Sequence, residues 1–67
     1  QPRPADAELE RLAGRREALN DSIERLRLRS DQMTVNAYQA ELLQLMLELA
    51  LVEENIETRE QELGNAE

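Results

Sequence analysis

Apolar residues along this chain recur at alternating steps of three and four, and one stretch, Leu42 to Val52 (LLQLMLELALV), holds more of them than a single helical stripe can use. From Leu9 the positions 9, 12, 16, 19, 23, 26 and 30 read Leu, Leu, Arg, Leu, Ile, Leu, Ser. That is the a/d spacing of a coiled-coil seam with one charged interruption, and it predicts a first helix over residues 5–30. Positions 35, 38, 42, 45, 49, 52, 56, 59 and 63 read Val, Tyr, Leu, Leu, Leu, Val, Ile, Arg, Leu, and they predict a second helix over 35–63.

The ends of both helices carry their own signals. Pro2 and Pro4 disfavour helix at the residues before them, so residues 1–4 read as an extended lead-in. Asp6 is the candidate N-cap, and Glu8 and Glu10 suit the positive end of the helix dipole. Ser30, Asp31 and Thr34 compete for backbone hydrogen bonds and place a turn at 31–34. Thr34 caps the second helix, with Met33 and Tyr38 at the two positions of a hydrophobic staple. Gly64 stands where a C-terminal cap glycine belongs, leaving 64–67 as a frayed tail.

Heptad phase separates a rod from a hairpin. Continued without a break, the first seam would fall at 33, 37 and 40, whereas the second falls at 35, 38 and 42. A single rod would have to twist its apolar face away at the junction, and a hairpin has no such need. Pairing residues whose numbers sum to 68 gives antiparallel layers Leu12–Ile56, Arg16–Val52, Leu19–Leu49, Ile23–Leu45, Leu26–Leu42 and Ser30–Tyr38. A slip of one heptad gives a sum of 61, and it leaves less room for the turn. The predicted fold is all-α: one domain, an antiparallel two-helix coiled-coil hairpin.

Once Leu42, Leu45, Leu49 and Val52 are assigned to the seam, Leu43, Met46, Leu47, Ala50 and Leu51 remain, pointing elsewhere on the same helix. A surface helix ordinarily turns a polar side opposite its apolar stripe. Five apolar residues within nine positions predict instead a partner-binding surface, through which two hairpins dimerise into a four-helix bundle or one hairpin docks onto a larger protein. Leu28, off the seam of the first helix, is placed beside it near the turn. Arg16 and Arg59 interrupt the seams and are candidates for setting register, Arg16 by reaching Glu48 or Glu53 on the facing helix. The tip, Ser30, Asp31 and Gln32, is a second candidate contact point.

Composition narrows the chemistry. The 67 residues include no Cys, His, Trp, Phe or Lys, and Tyr38 is the one aromatic. Disulfides, thiolate or imidazole metal sites and His- or Cys-based catalysis are thereby excluded, and no cofactor or metal is expected. Both glycines are isolated, so no phosphate-cradling loop is present. An acid–base site built from Arg and Glu in a dimer cleft would need converging residues, and none stand out; the chain is not expected to be an enzyme. The net charge of −7 lies entirely in residues 34–67, which hold Arg59 against eight Glu, while 1–33 hold seven Arg and seven acids. Nucleic acid is an unsuitable partner for such a surface, and no stretch is long and apolar enough to span a membrane. The open end of the hairpin gathers acids and the turn end gathers Arg25, Arg27 and Arg29, a weak bias towards antiparallel pairing of two hairpins.

Met33-Thr34, Tyr38, Glu41-Leu42, Leu45 and Leu47-Glu48-Leu49-Ala50 resemble a helical hairpin at the C-terminal end of some bacterial caspase-like or legumain-like peptidases. The resemblance implies an accessory module and not the enzyme, because the family's catalytic His and Cys have no counterpart here. The sequence thus predicts a non-catalytic interaction or oligomerisation module acting through helix 2. The alternative is a small acidic regulatory adaptor or inhibitor that binds a target through helix 2 or the Ser30-Asp31-Gln32 tip.

Overall fold

A computed structural model describes residues 6–65. It contains two α-helices, α1 (Ala7–Leu28) and α2 (Val35–Asn65), joined through a 3₁₀ turn at Ser30–Gln32, and no strand among the described residues. The expected lead-in at 1–4 and the last two residues of the expected tail lie outside the described residues.

Asp6 opens α1 with an extended backbone (φ −73°, ψ 121°), and its Oδ2 accepts the Leu9 N–H at 2.9 Å. This satisfies one of the amide donors that every helix start leaves without a partner. The helix stops at Leu28, two residues short of the expected end. There the Arg29 N–H is shared between the carbonyls of Arg25 (3.2 Å) and Leu26 (3.1 Å), which tightens the spiral. The Gln32 N–H then reaches the Arg29 carbonyl at 2.9 Å, and Met33 re-extends the chain (φ −121°, ψ 154°). Thr34 Oγ1 accepts the Ala37 N–H at 3.1 Å and starts α2.

The far end of α2 differs from expectation. The helix continues through Gly64 to Asn65, and neither glycine has a positive φ, so Gly64 is not a left-handed cap. A glycine in a helix costs only about 1 kcal/mol relative to alanine, too little to stop a helix whose next hydrogen bond is available.

The helices run antiparallel. Asp6 meets Arg59 at the open end, and Arg29 meets Glu41 (3.6 Å) beside the turn. The body measures 52 × 18 × 10 Å, two helices wide and one deep. Its radius of gyration is 15.8 Å, against about 11 Å for a compact domain of this length.

Burial follows the seams. Among the described residues Leu12, Leu19, Leu26 and Val52 are the buried apolar ones, and of these Leu26 alone is completely covered. Val52 packs with Leu12 and Leu19, and Leu45, Leu49 and Ile56 close around them. A register slipped by one heptad would set Ile56 level with residue 5, before α1 begins, so Ile56 in this cluster favours the unslipped pairing. The seam fails at its turn end. Tyr38 is still half-buried, but Val35 is 70% exposed and Ser30, the expected partner of Tyr38, is exposed, because α1 has already ended at Leu28.

Candidate association surface

Leu43, Met46, Leu47, Ala50 and Leu51 stand at i, i+3, i+4, i+7 and i+8, a complete amphipathic stripe in its own right. All five are exposed, the four large ones at 60%, 51%, 59% and 60%. Along the helix the stripe runs about 12 Å, or a little over two turns. At 100° per residue its mean direction lies roughly 150° around α2 from that of Leu42, Leu45, Leu49, Val52 and Ile56. It therefore looks away from α1, on the outer edge of the body.

Leu28 does not join it. This residue is 75% exposed and borders a groove of about 710 Å³ together with Ser22, Arg25, Arg29, Glu41 and Gln44. That groove runs between the helices near the turn, and none of the five stripe residues lines it.

The two seam arginines part company. Arg16 is exposed, and its neighbour Arg15 is the one that meets Glu48, Nη2 to Oε1 at 3.1 Å. Val52 leaves Arg16 out of the core by packing between Leu12 and Leu19. Arg59 instead lies half-buried at the open end, where its Nε donates to Asp6 Oδ2 at 3.1 Å and its Nη2 to Asp6 Oδ1 at 3.0 Å. Two parallel bonds between planar groups are the strong form of such a pair. The Arg59 bonds, with the Leu9 amide second, hold the Asp6 carboxyl below its ordinary range. Arg59 also approaches Glu62 at 3.6 Å. Asp6 as Arg59's partner was not legible from the seam spacing, which sets Arg59 level with Leu9; a long side chain reaches partners up to a turn away from its level.

The tip residues Ser30, Asp31 and Gln32 are exposed and form the 3₁₀ turn, with no buried member. Arg11 pairs with Glu8 one turn earlier on α1, which lowers the Glu8 carboxyl and raises the guanidinium. Among the described residues no helix is long and apolar enough to cross a membrane, and no three acidic groups converge as metal ligands would. Comparison with protein-family models, with curated proteins and with solved structures gave no match.

Proposed function

We propose that this chain is a non-catalytic association module that pairs with a second copy through the exposed stripe of α2, giving a four-helix assembly. The observation that carries this reading is the stripe itself: four large apolar side chains, each at least half exposed, adjoining on one side of one helix.

Surface area supports it. The chain exposes 5452 Å². A compact monomer of 7.7 kDa exposes about 4300 Å², so the excess is about 1100 Å². One side of a standard protein interface covers about 800 Å², within that excess. Size supports it too: a core with four buried apolar residues is thin for an isolated domain, and small helical folds commonly gain their remaining stability from a partner.

Sedimentation equilibrium across a concentration series tests the proposal. A dimer at high concentration that dissociates on dilution, with Leu47→Glu monomeric throughout, is the expected result. A wild-type chain that stays monomeric at every concentration overturns it. Capture of an unrelated acidic-surface-compatible partner by a monomeric chain would point to the adaptor alternative instead.

A further inference from the structure

We infer that the second copy lies antiparallel and is met through α2 alone, with the two-fold axis passing beside Leu47, so that the four helices form one flat layer in the order α1, α2, α2, α1. This rests on the self-association proposed above and specifies its geometry.

The stripe faces roughly 150° away from the seam, so a copy seated on it meets the outer edge of α2 and not the cleft between the helices. Helix α1 has no matching stripe to offer. Leu28 is its one exposed large apolar residue, and it points to a different side. A closed bundle in which all four helices bury a second stripe is therefore unsupported by α1.

Charge sets the orientation. Beyond Leu51 the unpaired side of α2 continues with Glu53, Glu54, Glu57 and Glu60, all exposed. Before Leu43 it carries Asn36, Gln39 and Ala40, which are neutral. The two acids in that first half, Glu41 and Glu48, are engaged by Arg29 and Arg15. A parallel copy would stack these four glutamates, which form no ion pair among the described residues, on their counterparts, well inside the screening length of about 10 Å. An antiparallel copy centred on Leu47 sets Leu43 level with Leu51 of the other chain and Glu54 level with its Ala40. It also carries the acidic end towards the other chain's turn, where Arg25, Arg27 and Arg29 are exposed. Repulsion between the acidic ends is removed, and that removal sets the orientation, since the arginines stand one helix further off, about 16–20 Å away.

The test uses the full chain, which has no cysteine of its own, with a nitroxide label on Gln32→Cys at the exposed tip. At a concentration where sedimentation shows the dimer, dipolar spectroscopy reads the distance between the two tips. In the antiparallel arrangement Gln32 is level with residue 62 of the other copy, a separation of about 45 Å along the helix. A parallel dimer holds the tips within about 25 Å. The long distance is expected. A short one overturns the antiparallel arrangement and leaves self-association standing. A chain that sediments as a monomer and gives no dipolar coupling overturns this geometry together with the reading beneath it.

Discussion

Arg59 grips Asp6 across 53 residues of sequence, and the oxygen that receives its Nε also caps α1 through the Leu9 amide. One carboxylate thus starts the first helix and fastens the second helix to it. Replacing Asp6 by Ala removes both roles, whereas Asp6→Asn keeps a good capping side chain and removes the charge. Thermal melts followed by circular dichroism should show Asp6→Ala lowered by about 4–8 °C, with Asp6→Asn in between. Equal melting of all three chains would mean that the clasp contributes nothing.

The same clasp predicts a pH dependence. The folded state holds Asp6 below its ordinary value of 3.8, chiefly through Arg59. A depressed carboxyl contributes stability that is present above the unfolded value and lost as pH falls through the folded one. The difference in melting temperature between wild type and Asp6→Asn should therefore be constant above about pH 5 and shrink progressively below pH 4. Comparing the two chains cancels the general effect of protonating the other carboxyls. A difference that grows on acidification would contradict the assignment.

Leu26 is completely covered, the deepest side chain of the hairpin. Truncating it to Ala should cost about 2–5 kcal/mol, comparable to the whole stability of a domain this small. Urea denaturation should find Leu26→Ala largely unfolded. Leu43→Ala, at an exposed position, should leave the fold of a single hairpin intact and weaken only its association.

Gly14 lies inside α1, exposed, with helical φ, and an added Cβ would meet nothing within 4 Å. Gly14→Ala should stabilise the hairpin by about 0.5–1 kcal/mol through lower backbone entropy in the unfolded chain. Denaturant midpoints provide the measurement, and a lower midpoint would show that Gly14 has a role other than filling a helical position.

What could be read from the sequence follows from what heptad spacing encodes. Spacing fixes which side of a helix a residue occupies. Hence Leu12, Leu19, Leu26 and Val52 are buried, and Leu43, Leu47 and Leu51 stand apart from them. The break in phase around residues 30–35 was enough to separate a hairpin from a rod. Spacing does not fix how far a flexible side chain leans. Glu48 takes Arg15 and not Arg16, and Arg59 takes Asp6, because each pair is settled by rotamers and by where the backbone ends. Nor does spacing say where a helix stops. Gly64 has the composition of a cap, yet it keeps a helical backbone, since the competing states differ by less than the hydrogen bonds that follow.

A body 10 Å deep and 52 Å long leaves almost no volume out of reach of its two broad sides. What such an object presents to its surroundings is outline: two long edges, two broad sides and a groove near the turn. Joined edge to edge with a copy of itself, it would extend as a ribbon whose two surfaces both remain free, so that neighbours on opposite sides could be held at once without competing for the same ground.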